Sequence, residues 1–288
     1  LQEPVYLWYD GVAIEMQPPA GYDCAENFVG FYHDSLQISI SFNVVEKYFD
    51  DYAKDYSKEK FESTGIKLFS REELIVDGKN ALLFHSEYAD GDYALHHLRL
   101  GIQLGSRTLQ IEAIYSPSSG KGTKDYLTRS FLSMKHLKNS GENQFQRLGY
   151  EVNLVESPLR LIGVSDMTCL FETTADSLEK DGAAMTIGLF DYPFEREDTN
   201  VFIREMMEWR AGTTEIEIES FDSKVLNGMH AWTASASHYI QEDNQYYQFF
   251  EGYLFLDEAF YRVAGVSSLR NSFWEAEFKR IMGTFKIV

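Results

Sequence analysis

Two histidines and a glutamate flank a short turn in the first half of the chain. His85 and Glu87 precede the pair Asp90-Gly91, and His96 follows it. An Asp-Gly pair favours a two-residue hairpin, because both central residues of a type I′ turn have positive φ. A symmetric turn there places His85 opposite His96, with Glu87 on the same face. Imidazole and carboxylate groups at Cβ separations of ~5 Å are able to share a metal ion or bind a small ligand.

The alternative reading of these residues is structural. Histidines near a strand end also form ordinary hydrogen bonds with their neighbours. The second half of the chain carries Ser235 and Gln248 where the first half has His85 and His96. A metal or ligand site of this kind would therefore belong to the first half alone.

A second hairpin, around Gly105-Ser106, predicts an ion pair. A two-residue turn at this point sets Arg99 opposite Glu112 on the other face of the sheet, with His97 beside them. Such a pair contributes ~0.2–1 kcal/mol when it is exposed. The functional alternative is that Arg99 holds the carboxylate of a ligand.

The corresponding strand in the second half is strongly aromatic. Its side chains alternate between two apolar faces, Tyr247, Phe249, Tyr253 and Phe255 on one and Tyr246, Phe250, Leu254 and Leu256 on the other. We expect both faces to be covered, as in a sheet with helices on each side. An open face would instead be an aromatic platform for a glycan or a protein. A symmetric hairpin also sets Tyr253 opposite Arg262 in a cation–π arrangement.

The glycine-rich segment 118–123 lies between a strand and a helix, as a phosphate-binding loop does. Its spacing does not fit, because Tyr115 stands where the first glycine is needed and Gly122 where Ser or Thr would bind magnesium. The sequence contains no H-E-x-x-H, G-x-S-x-G or G-x-G-x-x-G motif. We therefore assign no catalytic residue and expect no cofactor. The question of enzymatic activity stays open, with the balance against it.

The charge of the chain restricts its partners. Its 288 residues include 45 acidic and 26 basic side chains, which gives a net charge of −19. Nucleic acids and anionic membrane surfaces are poor partners for such a protein. No apolar run approaches the ~20 residues of a membrane-spanning helix. Hydrophobic residues make up 44% of the sequence, which is ample for a packed core.

The sequence contains an internal repeat with a period near 150 residues. The segment 72–88 matches 222–239, with Gly78 on Gly228 and Ala81 on Ala231, and 108–116 matches 260–268. Each half predicts a strand, an amphipathic helix, a series of hairpin strands and a closing helix. The expected strands are 37–44 and 184–190, the first helices 46–61 and 199–211, and the closing helices 123–136 and 272–283. In the helix 199–211 we expect Phe202, Met206 and Trp209 to form the apolar stripe.

This order predicts two domains, 1–138 and 149–288, joined by a polar linker, 139–148. Each is expected to be an α+β fold of the αβα sandwich type, an antiparallel sheet with helices packed on it. The order resembles tandem PsbP-like domains and is similar to bacterial DcrB-type lipoproteins. The features behind this resemblance are the lead-in Pro18-Pro19-x-Gly21-Tyr22, the helix after the second strand, and the turn at Gly78 and Gly228. The resemblance implies a non-enzymatic binding or accessory role.

Our leading expectation is a non-enzymatic, exported bacterial protein that acts in binding or assembly, with an unidentified protein or small ligand as its partner. The chain begins at Leu1, which fits either a cleaved secretory signal or a trimmed N-terminus. Its two cysteines, Cys24 and Cys169, belong to no C-x-x-C pair, and we expect both to be reduced; an extracytoplasmic location is favoured and a cytoplasmic one stays open. The alternatives are the His85, His96 and Glu87 binder and, more weakly, a hydrolase with a site between the domains.

Overall fold

The computed structural model describes residues 1–25, 28–90, 93–120, 122–137, 145, 148–173, 182–191, 199–211, 216–240, 245–256, 259–268 and 272–288. The chain divides into two compact units. Unit 1 comprises Leu1–Gly141 with Gly163–Asp166, and unit 2 comprises Glu142–Ile162 with Met167–Val288. The segment Gly163–Asp166, which the sequence analysis places in the second domain, thus belongs to unit 1. The predicted linker lies outside the described residues apart from Phe145 and Leu148.

Unit 1 is built mainly from antiparallel strands. In chain order its elements are β1 (Val5–Tyr9), β2 (Val12–Met16), β3 (Asp23–Cys24), β4 (Gly30–His33), β5 (Ile38–Val45), α1 (Phe49–Asp55), α2 (Lys58–Thr64), β6 (Lys67–Val76), β7 (Lys79–Asp90), β8 (Tyr93–Leu104), β9 (Arg107–Tyr115), α3 (Thr123–Leu132) and β10 (Lys135–Leu137). Seven of the strands form one sheet in the order β3-β4-β5-β9-β8-β7-β6. In a separate group, β2 pairs with β10 and with β1.

Unit 2 has the same kind of construction. Its elements are β11 (Tyr150–Glu151), β12 (Leu159–Ser165, whose end belongs to unit 1), β13 (Thr168–Thr173), β14 (Ala183–Asp191), α4 (Thr199–Ala211), β15 (Glu217–Leu226), β16 (Met229–Ile240), β17 (Gln245–Phe255), β18 (Ala259–Ser267), α5 (Ser272–Gly283) and β19 (Lys286–Ile287). Its strand order β14-β18-β17-β16-β15 matches the order β5-β9-β8-β7-β6 of unit 1. The α+β class is thus confirmed, with sheet as the larger part.

The helices pack against the sheets through apolar side chains. Tyr52 of α1 lies over Gly101 of β8, where an added Cβ would overlap the tyrosine ring. In unit 2, Tyr253 on β17 contacts Phe202 of α4 with ring centroids 5.6 Å apart. In unit 1 the strand thus leaves space for a ring of the helix, whereas in unit 2 the helix and the strand each contribute a ring. Burying such rings supplies much of the stability of each core.

Three expectations about helices were wrong. The predicted helix 46–61 is broken into α1 and α2, because the hydroxyl of Ser57 accepts a hydrogen bond from the Lys60 amide and starts a new helix. The helix 123–136 ends at Leu132, and β10 follows it. In α4 the fully buried residues are Ile203 and Met207, whereas Trp209 is 66% exposed. In the described part of the chain, no helix is long and apolar enough to span a membrane.

Candidate functional site

The strands β7 and β8 pair two residues away from the expected register. Glu87 faces His96, and His85 faces Leu98, so the prediction that His85 directly faces His96 was wrong. The shift is even and therefore leaves every side chain on its expected face. The turn residues Gly91 and Asp92 lie outside the described residues.

The shifted register still brings the predicted side chains together, in what we call the His85 cluster (His85, His96, Glu87, Tyr115 and Phe69). The two imidazole rings meet edge to face, with centroids 4.9 Å apart. His96 Nε2 lies 3.1 Å from Glu87 Oε2, and His85 Nε2 lies 3.0 Å from the Tyr115 hydroxyl. Phe69, which the sequence analysis missed, stacks on His85 at 4.7 Å.

Burial and hydrogen bonding together set the protonation states of the His85 cluster. Burial lowers the pKa of His85 to about 4, with further lowering from His96 and Lys124. The hydrogen bond to His96 lowers the pKa of Glu87, and Lys67 contributes in the same direction. Burial raises the pKa of Tyr115 to about 12. At neutral pH the cluster therefore holds a neutral His85 and an ionised Glu87.

The polar atoms of the His85 cluster are bonded mainly to one another. Glu87 contacts both His96 and Lys67, and His85 contacts Tyr115. Within the described ranges, no group of three or more His, Cys, Asp or Glu side chains is arranged to hold a metal ion. The arrangement that the structure describes is an internally hydrogen-bonded, partly aromatic cluster.

The corresponding place in unit 2 is polar but carries different chemistry. Ser235 takes the place of His85, and its hydroxyl lies 2.6 Å from that of Ser220 and 3.0 Å from Glu275 of α5. Gln248 takes the place of His96, and among the described residues its buried Oε1 has no hydrogen-bond partner. The expected difference between the halves at this point is therefore present.

The ion pair predicted around Gly105-Ser106 is confirmed. Arg99 faces Glu112, and its Nε donates a hydrogen bond of 2.5 Å to Glu112 Oε1. His97 Nδ1 lies 2.6 Å from the same oxygen. Burial alone would raise the pKa of Glu112, but His97 and Arg99 outweigh it and hold the pKa below its usual value. Because α1 and α2 pack on this face, the pair is mostly buried rather than exposed.

Tyr253 faces Arg262 as predicted, but Arg262 also binds an acidic residue that the sequence analysis did not assign. Arg262 donates two hydrogen bonds to Glu251, of 2.8 and 2.9 Å, and the Tyr253 hydroxyl donates a third of 3.1 Å. Both charged side chains are almost fully buried, at 3% and 0% exposure. A single glutamate within an aromatic run was the available signal, because an acid buried there needs a cationic partner. Most of the predicted aromatic faces are buried, and Tyr246 is 50% exposed.

The remaining motifs have structural roles in the described residues. Lys121 of the glycine-rich segment lies outside the described residues, and the Thr123 hydroxyl donates hydrogen bonds to the carbonyls of Ser119 and Gly120. Cys24 and Cys169 are free thiols, and burial raises the pKa of both.

Among the strands that the structure describes, each unit also ends its sheet in a strand with one unpaired edge. β6 and β15 are the last strands in their sheets, and each is ten residues long. Each contains a β-bulge near its start, after which the last seven residues, beginning at Ser70 and Ser220, pair regularly with the next strand. Each leads into a two-residue turn with two positive φ values, Asp77-Gly78 and Asn227-Gly228. In such a hairpin the residues flanking the turn form a hydrogen-bonded pair, and alternate residues point their backbone groups away from the partner strand.

The outward positions follow from this register. They are Arg71, Glu73 and Ile75 in β6, and Phe221, Ser223 and Val225 in β15. In the described part of the chain their amides form no hydrogen bond outside the sheet ladders. Ile75 and Val225 are 65% and 63% exposed. We call these two runs the outer edges.

Comparison with known proteins gives a likeness of fold. No family model and no curated protein matches the chain. The solution structure of CyanoP, the PsbP of Synechocystis sp. PCC 6803, is 14% identical, covering 46% of this chain and 93% of that one with a TM-score of 0.35. A protein of unknown function from Pseudomonas aeruginosa is 15% identical, covering 45% of this chain and 94% of that one with a TM-score of 0.31. The apo immunity protein TplEi of Pseudomonas aeruginosa is 9% identical over 99% and 97%, with a TM-score of 0.41.

The likeness to CyanoP agrees with the PsbP-like resemblance drawn from the sequence. It concerns the fold alone. With identities of 9–15% and TM-scores of 0.31–0.41, these structures carry no argument about ligands or partners.

Proposed function

We propose that this chain is an exported, non-catalytic binding protein whose outer edges take up an extended, basic segment of a partner protein. The observation that carries the proposal is the pair of outer edges. An unpaired strand edge offers a row of amides and carbonyls to which a second chain adds as a further strand. The backbone bonds would supply affinity, and alternate side chains would supply specificity.

The charge of the β15 edge and of the whole chain supports a basic partner. On β15 the exposed acidic residues Glu217, Glu219 and Asp222 outnumber the exposed Lys224, whereas on β6 Glu72 and Glu73 are balanced by Lys67 and Arg71. The net charge of −19 extends the attraction beyond contact distance. Complementary charge of this kind accelerates association and excludes acidic competitors. The exposed Ile75 and Val225 would pack against apolar side chains of the added strand.

We propose further that the two units are a tandem duplication of one αβα sandwich of the PsbP-like kind. Two observations support this. Five strands follow the same order in each unit. The bulges at Phe69 and Glu219 also stand at the same distance before the turn glycines Gly78 and Gly228. A duplicated edge would give the chain two places to engage one partner, and linked sites gain affinity from their proximity.

The test changes one outward amide at a time. Glu73→Pro removes the outward N–H of β6 and leaves the hydrogen bonds to β7 intact, and Glu73→Ala removes only the carboxylate. Tagged wild-type, Pro and Ala proteins are compared by pull-down from a native cell-envelope fraction. We expect the Pro variant to lose the captured protein and the Ala variant to retain most of it.

Hydrogen exchange of the purified complex then locates the contact. The amides of Arg71, Glu73 and Ile75 should become protected when the partner is bound. Full capture by Glu73→Pro and by Ser223→Pro, with unprotected edge amides, would refute the proposal. Fractionation of the producing cell tests export separately, and retention of the chain in the cytoplasm would contradict that part.

A further inference from the structure

Unit 1 contains a cleft that neither the His85 cluster nor the outer edges explain. Its volume is about 370 Å³, at the lower end of the ~300–1,000 Å³ that small-molecule sites occupy. One part of its wall is apolar and the other carries polar tips, the lining residues being Leu1, Pro19, Ala20, Leu36, Tyr22, His33, Tyr126 and Arg129.

The polar part of the wall is ordered by contacts among its own members. The hydroxyls of Tyr22 and Tyr126 lie 3.4 Å apart, and the Tyr22 ring meets His33 edge to face at 5.1 Å. Gly21 has a φ of +83°, and a Cβ there would stand 3.1 Å from His33 Nε2. A glycine is therefore needed for the lead-in segment to pass this close to the histidine.

Arg129 is the unusual member of the wall. The other described arginines of unit 1 each contact an acid, Arg71 with Glu73, Arg99 with Glu112, and Arg107 with Asp10. The described part of the chain gives Arg129 no ion pair and no hydrogen bond, although acidic residues outnumber basic ones by 45 to 26. A guanidinium presents a planar fork of N–H donors that matches a carboxylate.

We propose that this cleft binds a small amphipathic carboxylate, such as a medium-chain or aryl-alkyl acid. The carboxylate pairs with Arg129 and accepts a hydrogen bond from the Tyr126 hydroxyl. The hydrocarbon part lies against Pro19, Ala20 and Leu36. The site uses residues that the strand-edge proposal does not, so either proposal can fail without the other.

Octanoate is the probe, measured by titration calorimetry below its micellar concentration. Octanol has the same chain without the charge, and octylammonium reverses the charge. We expect saturable binding of octanoate with one site per chain, at least about tenfold weaker binding of octanol, and no binding of octylammonium. Chemical shift changes should centre on the Ala20 amide and on the Tyr22 and Tyr126 rings.

Two variants test the role of the guanidinium. Arg129→Gln should weaken octanoate about tenfold or more and leave octanol unchanged. Arg160→Gln, which removes an exposed arginine of unit 2, is the matched control and should bind as the wild type does. Since Arg129 is exposed, its variant is expected to keep the wild-type urea midpoint. Absence of octanoate binding, equal binding of octanoate and octanol, or an unchanged Arg129→Gln variant would each overturn the proposal.

Discussion

The strand pairs β8–β9 and β17–β18 hold corresponding places in the two units, and each buries an arginine–glutamate pair with the opposite order of charge. In unit 1 the arginine, Arg99, is on β8, whereas in unit 2 the glutamate, Glu251, is on β17. Arg99 and Glu251 are counterparts in the two registers. The corresponding alanines Ala81 and Ala231 face Ile102 and Leu254, and Arg99 and Glu251 each lie three residues before that facing residue. The position that Arg99 and Glu251 share thus accommodates a positive or a negative side chain, provided that a side chain of opposite charge pairs with it.

The two pairs differ in how they are solvated and bonded. Arg99 and Glu112 retain 23% and 11% side-chain exposure, and Arg262 and Glu251 retain 3% and 0%. The unit 2 pair has two parallel N–H···O bonds and the Tyr253 hydroxyl, whereas the unit 1 pair shares one carboxylate oxygen with His97. A buried charge is costly without its partner, so unit 2 should depend on its pair more strongly.

The largest expected effect is therefore in unit 2. Arg262→Met leaves Glu251 buried without its cationic partner, and we expect a loss of about 3–5 kcal/mol in the free energy of unfolding. Urea unfolding followed by circular dichroism at pH 7 measures the loss. The double variant Glu251→Leu, Arg262→Met removes both charges and should recover most of it. A double variant as unstable as the single one would show that packing, and not charge, is responsible.

The same change in unit 1 should cost less. Arg99→Met leaves Glu112 its hydrogen bond to His97 and partial hydration, and we expect a loss of about 2 kcal/mol. Because the folded pKa of Glu112 is lowered, the stability it contributes is present above its unfolded pKa of ~4.3 and is lost as the pH falls through the folded value. Urea titrations at pH 7 and pH 3 measure this, and an equal cost at both would contradict the electrostatic explanation.

At neutral pH the smallest electrostatic effect is expected for the His85 cluster, because His85 is neutral there; the comparison with its counterpart in unit 2 is therefore made at lower pH. The folded pKa of His85, about 4, lies below the unfolded value of ~6.5, so protonation favours the unfolded chain. Stability should fall by roughly 2–3 kcal/mol between pH 6.5 and pH 4 on this account. Glu87, His96, Tyr115 and Lys124 face the same ring or act on its charge.

His85→Ser, the residue that unit 2 has there, should flatten this part of the profile. His230→Ser is the control, since it removes an exposed histidine of unit 2 that lies outside the His85 cluster. Urea midpoints measured every half unit of pH distinguish the two variants. An unchanged acid slope in His85→Ser would assign the slope to other groups.

The sequence predicted those pairings that a short turn alone determines. Gly105-Ser106 is a single tight turn between two clearly predicted strands, so the prediction that Arg99 faces Glu112 was correct. Around Asp90-Gly91, several polar residues can form the turn, and the alternative turns give strand registers that differ by two residues. Both registers leave each side chain on the same face of the sheet. Side-chain alternation carries no information that separates them, so the partner of His85 was wrong although its face was right.

Helix faces were harder to predict because they depend on distant residues. Trp209 fits an apolar stripe by spacing, but the face buried against β16 and β17 is that of Ile203 and Met207. The cleft beside Tyr22 is formed by segments far apart in the chain, 1–36 and 126–129. The local pattern of apolar and polar residues does not indicate such packing. The one hint in the sequence was a residue type, the glycine at position 21 beside the cleft.

The place of Gly163–Asp166 in unit 1 has a consequence for how the protein is made and inherited. Leu7, Trp8 and Tyr9 of β1 pair with Ser165, Val164 and Gly163, and the Ser165 hydroxyl bonds the Gly30 carbonyl. The ribosome therefore completes the first unit only after it has begun the second, and a gene cut at the linker would encode a first fragment with an open, apolar β1 edge. A gene rearrangement that removes unit 2 at the linker would therefore also remove the segment Gly163–Asp166 from unit 1.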